Sequence, residues 1–185
     1  MAEPAYFSGA PAFRQAYFSG IWDSAGVKAL PSDWRKAAVA VVLSIAAATA
    51  IVLLLDCWIF RSHLEPRYVA FYTSPLMPRA VLMCIMAVLE EIKFRLLAMT
   101  ALLVVARMLL RRTPPPWCVF VVIVVAQFAN VGALVVHDPV YASLRYLLVG
   151  SIWGWLYWKH GWAAAVIGHG STHLLLDPLL LYGLR

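Results

Sequence analysis

The chain has 185 residues, of which 63% are hydrophobic and only 13% charged, and its mean hydropathy is +0.80. Ordinary soluble domains hold roughly 45–50% apolar residues, so too little polar surface remains here to coat a soluble globule. The net charge of +6 is dispersed over connecting segments and forms no stripe of the kind that binds nucleic acid; it suits membrane topology and contact with anionic lipid. The expected architecture is all-α: a polytopic transmembrane helix bundle of about five spans over residues 37–185, preceded by residues 1–36 as an N-terminal interfacial or disordered segment.

In chain order, the first 37 residues are polar and aromatic and lack the apolar region of a cleavable signal peptide. They contain a short echo, Ala5-Tyr-Phe-Ser-Gly9 and Ala16-Tyr-Phe-Ser-Gly20. Residues 37–60 are almost wholly apolar, about 24 residues against the ~20 that a bilayer core requires. A polar loop over 61–78 ends in Pro75 and Pro78, which mark a boundary. Residues 79–112 are apolar except for Glu90, Glu91, Lys93 and Arg95. As one helix they would extend roughly 50 Å, so the segment must tilt, kink or project beyond the membrane. Pro114, Pro115 and Pro116 stop it, and 117–136 forms the next span. A shorter span over 141–158 carries Gly150 and Gly154 at the spacing that lets helices pack closely. Residues 161–182 form the last.

Basic residues cluster at Arg35/Lys36, at Arg107/Arg111/Arg112 and at Lys159, all on one side if spans alternate. The positive-inside tendency then places the N-terminus in the cytoplasm and the C-terminus outside. Localisation is expected to be integral and multi-pass, in a bacterial inner (plasma) membrane on the strength of small size and an Ala/Val/Leu-rich composition. Cys57, Cys84 and Cys118 each sit in an apolar run and read as small packing residues.

The chemistry is concentrated in Glu90-Glu91-Ile92-Lys93-Phe94-Arg95. Each charge at a helix centre costs ~2.5–3.5 kcal/mol on insertion, so four within six residues are retained only where they pair and act. Glu91 and Arg95 stand at i,i+4 and can pair on one face. Glu90 points about 100° away and is left free to serve as a general base. The last span carries His169-Gly-Ser-Thr-His173, two imidazoles stacked on one face. Counted from the helix ends, Glu90 and His169 fall at similar depth in a core ~30 Å thick.

Glu90-Glu91-x-x-Phe94-Arg95 resembles the EExxxR motif of the CPBP intramembrane proteases, a family that includes CAAX endopeptidases, bacteriocin-processing and self-immunity (Abi) proteins. Gly150-x-x-x-Gly154-Trp-Leu-Tyr-Trp-Lys-His-Gly161 resembles the helix and turn before the family's final motif, and His169-x-x-x-His173 resembles that motif, usually HxxxN or HxxxD. The resemblance covers residues 79–177. It implies a glutamic-type intramembrane endopeptidase in which Glu90 activates water, Glu91 with Arg95 forms the structural pair, and His169 with His173 stabilises the oxyanion. The implied partners are the lipid bilayer and a membrane-anchored protein or peptide substrate: a CAAX-type terminus, a leader peptide or a C-terminal sorting tag.

Two departures from the family pattern stand out. His173 replaces the usual Asn or Asp, although neutral imidazole still donates a hydrogen bond. The middle motif FxxxH is broken: Phe128 places Gly132 where the histidine belongs, and His137 places Ala133 where the aromatic belongs. By elimination His137 is expected to supply the missing group, since His63 and His160 lie in connections remote from Glu90; Asn130 is the other candidate. No cofactor is expected, with zinc held by Glu90, His137, His169 and His173 as the alternative. The rival function is a catalytically inactive relative serving as an immunity or scaffold membrane protein. A proton-relay transporter is disfavoured because no inverted repeat is visible.

Overall fold

The computed structural model describes residues 26–132 and 138–184, and every regular element among them is helical. The first helix, α1, runs Trp34–Ile59. The side chain of Asp33 starts it by accepting hydrogen bonds from the amides of Arg35 and Lys36, both at 3.1 Å. A 3₁₀ turn, Arg61–His63, leads to α2, Pro66–Thr73, a short helix inside what the sequence presents as a polar loop. The long charged segment becomes α3, residues 76–110, which starts at Leu76 with Pro78 accommodated in its first turn. It ends at Arg111, whose φ of 51° is left-handed, ahead of the three prolines. The next helix, α4, is Pro116–Gly132. Asp138 caps α5, residues 139–160, by accepting from the amides of Val140 and Tyr141 at 2.9 and 3.0 Å. The last helix, α6, is Trp162–Gly183 and packs against α1, α3 and α5.

Three of these helices change pitch where they carry buried charge. Leu54–Ile59 of α1, Glu91–Met99 of α3 and Ser143–Leu147 of α5 are π-helical. They hold Asp56, Glu91 with Arg95, and Arg145 respectively, all buried. A π turn widens the helix and re-aims the side chains beyond it, and such turns concentrate at functional sites. In α3 the hydroxyl of Thr100 donates to the carbonyl of Arg95, 3.1 Å away.

The glycines of α5 behave as their spacing predicts. A Cβ on Gly150 would lie 1.9 Å from Oε1 of Gln127, and one on Gly154 would lie 2.7 Å from Cγ2 of Ile123, so both glycines seat α5 directly on α4. Between α5 and α6, Gly161 adopts φ +91°, and its Cβ would meet the carbonyl oxygen of Lys28 at 2.6 Å. That carbonyl and the one on Ala29 accept the amides of Trp162 and Ala163. Val27 is buried with Met99, Leu103, Val119 and Tyr157. Residues 26–30 of the N-terminal segment are therefore docked under the α5–α6 turn. Residues 1–25 lie outside the described residues.

Around an apolar core, several charged and several large apolar residues show inverted burial. Asp56, Glu91 and Asp177 have no exposed surface, while Trp58 is 81% exposed, Leu43 64%, Phe120 62% and Leu109 79%. Among the described residues, by length and apolarity alone, one helix, α1, is long enough to cross a membrane, with mean hydropathy 2.8, and α4 forms a shorter apolar helix over Pro116–Val131. The other long helices, α3, α5 and α6, interrupt their apolar sequence with ionisable residues.

Candidate active site

The two motif segments meet at mid-helix. Glu91 Oε1 lies 2.9 Å from Nδ1 of His169, joining α3 to α6. Its Oε2 lies 3.5 Å from Nε of Arg95, an ion pair without a hydrogen bond, with both side chains buried. Arg95 continues across the bundle, donating from Nη2 to the carbonyl of Gly150 at 2.9 Å. The expected i,i+4 pair is present, and Glu91 does more than balance Arg95, because it also orients an imidazole.

His169 stacks on Trp153, with ring centroids 5.5 Å apart and nearly parallel planes, and its ring lies 5.2 Å from that of His173. His173 Nδ1 makes no hydrogen bond and faces Oδ1 of Asp177 at 3.9 Å; that oxygen is likewise unpartnered. The other oxygen of Asp177 accepts from Nε of Arg79 at 3.2 Å. Arg79 also donates to the carbonyls of Phe71 and Ser74, which ties α2 to the α3–α6 contact.

A cavity of about 460 Å³ receives Glu90, Arg95, Asn130, His169 and His173 in one wall system. Glu90 is half-buried and makes no hydrogen bond or ion pair with any described residue. Asn130 lies 8% exposed in the cavity wall, whereas Phe128 points outward at 55% exposure. His137, the expected middle histidine, falls outside the described residues. His63, in the 3₁₀ turn, lies in the outer wall of the same cavity.

Sequence reasoning missed several members of this site. Gln127 is 1% exposed, lines the cavity and leaves Oε1 without a partner. Asp177 stands four residues beyond His173, so the spacing that linked His169 to His173 would have reached it. A second buried cluster stands beside the other end of the cavity, where Tyr68, Tyr141 and Arg145 line it. Asp56 accepts from the hydroxyl of Tyr68, from that of Tyr141 at 2.9 Å and from Nε of Arg145 at 3.3 Å, and Arg145 also lies over the rings of Tyr68 and Tyr146.

Among the described residues no three His, Cys, Asp or Glu side chains gather as metal ligands. Of the four residues of the zinc alternative, Glu90, His169 and His173 line the cavity and His137 lies outside the described residues; no chemical step is routed through a metal. Cys57, Cys84 and Cys118 are free and partly buried, as small packing residues. Neither a protein-family model, nor a curated protein, nor a solved structure matches the chain.

Proposed function

We propose that this chain is a multi-pass membrane protein of the CPBP type and an intramembrane endopeptidase. The membrane reading is supported by the inverted burial. Helices that turn Phe120, Leu109 and Trp58 outward, and hold Glu91, Arg95 and Asp177 inside, match an apolar solvent. All five long helices then span, with Glu91 and Arg95 of α3 paired inside the bundle.

The observation that carries the protease reading is the convergence of Glu90, His169, His173 and Asn130 on one cavity. Glu90 has no partner among the described residues, and it takes the proton from a water that attacks the scissile carbonyl. Nδ1 of His169 lies against the Glu91 carboxylate, and the tautomer that donates there presents Nε2 as an acceptor. His169 thus holds the water beside Glu90, a role the sequence had sought in His137. His173 has no bond at Nδ1, so its proton can sit on Nε2 and stabilise the oxyanion, with the Asn130 amide as a second donor. Collapse of the tetrahedral adduct returns the Glu90 proton to the leaving amine, giving a new carboxylate and a new N-terminus. Cleavage of a membrane-anchored reporter by wild type and by Glu90→Gln tests the reading.

A further inference from the structure

We infer that the cavity receives its substrate from the extracytoplasmic side, so that the segment cleaved belongs to an exported or outward-facing membrane-anchored polypeptide and not to a cytosolic C-terminus. This rests on the membrane-protease reading above and adds the side of access to it.

Two ends of the bundle are defined by contacts. At one, Tyr68 of α2 and Tyr141 of α5 meet Asp56 near the end of α1, and a Cβ on Gly183 of α6 would touch Sγ of Cys57 at 2.6 Å. At the other, residues 26–30 sit under the α5–α6 turn. The cavity belongs to the first end. Its rim includes His63 and Arg67, which are exposed, together with Asp138 at the start of α5. Exposed residues in the wall put the cavity in communication with that surface. Its floor stops at Gln127, Gly150 and Trp153, below which the largest packed cluster, including Val27, Met99, Leu103 and Tyr157, fills the bundle. No lining residue comes from the second end. Along their helices Glu90 and His169 each lie about fourteen residues, ~21 Å, from the first end.

The same contacts sharpen the charge asymmetry. Arg79 and Arg145 are buried in ion pairs with Asp177 and Asp56, so neither counts as a loop charge. The exposed bases Arg35, Lys36, Arg111, Arg112 and Lys159 all lie at the sealed end. At the open end stand Arg61 and Arg67, the latter paired with Glu65. Positive charge is retained on the cytoplasmic side, which makes the sealed end cytoplasmic and the open end external. The vestibule between rim and Glu90 is walled by Tyr68, Tyr72, Tyr141 and Tyr146, amphipathic rings suited to an extended membrane-proximal segment.

The test replaces Cys57, Cys84 and Cys118 by alanine and introduces Met83→Cys, in the cavity wall, or Lys159→Cys, at the sealed end. Intact spheroplasts are treated with the membrane-impermeant reagent sulfonatoethyl methanethiosulfonate, before and after permeabilisation. The expected result is modification of Met83→Cys in intact cells, and of Lys159→Cys only after permeabilisation. The reverse pattern, or a Met83→Cys that reacts in neither state, overturns the inference. In a second arm, single-span reporters carry a randomised juxtamembrane segment either outside or inside. Cleavage dependent on Glu90 is expected only in the outer library, and hits confined to the inner one overturn the inference. Recovery of the chain as a soluble protein after alkaline carbonate extraction, or silence of both libraries, counts against the membrane or protease reading, while the labelling still decides the side.

Discussion

The Glu91 carboxylate hydrogen-bonds Nδ1 of His169 across 2.9 Å, although the two residues lie in different motifs on different helices. It simultaneously faces Arg95. Removing its charge therefore strands a buried guanidinium and frees an imidazole. Glu91→Gln is expected to destabilise the fold by about 3 kcal/mol or more and to lower the yield of monodisperse protein in detergent. Wild-type yield with only turnover reduced would instead assign Glu91 a role confined to chemistry.

Arg79 and Asp177 form a second buried pair, 3.2 Å apart, that reaches toward His173. Arg79→Met or Asp177→Leu alone is expected to cost on the order of 3–5 kcal/mol, because each leaves one charge buried and unpaired. The double variant should be more stable than either single one. Thermal unfolding of the four proteins in one detergent gives the coupling, and simple additivity would show that the two side chains act independently.

The seating of α5 on α4 separates two glycines that look equivalent in the sequence. At Gly150 the obstructing atoms are the flexible end of Gln127, which can rotate into the cavity; at Gly154 they belong to the branched and stiffer Ile123. Gly154→Ala is expected to lower stability by about 1–3 kcal/mol, and Gly150→Ala by less. Adding Ile123→Ala to Gly154→Ala should restore part of the loss, measured as the unfolding midpoint.

Much of this site was legible because charge inside an apolar run is conspicuous. Glu90, Glu91 and Arg95 declare themselves in this way, and His169 and His173 through their i,i+4 spacing. Asp177 and Asp56 were equally placed in apolar sequence, but a single acid near a helix end reads as a solvated terminus. The pairing of Arg79 and Arg145 was not legible, because their partners lie far away in the chain and only the packing of α6 and α1 brings them in. Gln127 was hidden by being neutral. The π turns carry no sequence signal beyond the charges they accommodate, and the docking of Val27 follows from a tertiary contact that no periodicity records. The five long helices were recovered within a few residues of their observed limits, because long apolar runs bounded by prolines and bases leave little choice.

In the proposed mechanism His169 takes the place of water partner and Asn130 of α4 is the second oxyanion donor. Asn130→Ala is expected to lower turnover roughly 10²-fold, the loss of one oxyanion donor, with little change in KM. His137→Ala should retain most activity. An inactive His137→Ala beside an active Asn130→Ala would return the middle role to His137.

The central claim is that Glu90 is the proton acceptor. Glu90→Gln preserves shape and removes basicity, and Glu90 makes no ion pair or hydrogen bond among the described residues whose loss would unfold the chain. The decisive measurement is cleavage of a membrane-anchored reporter by purified, reconstituted protein, with helicity and elution profile recorded in parallel. The predicted result is a Glu90→Gln protein that folds, inserts and elutes as wild type and cleaves nothing above background. A folded Glu90→Gln protein with wild-type turnover would contradict it.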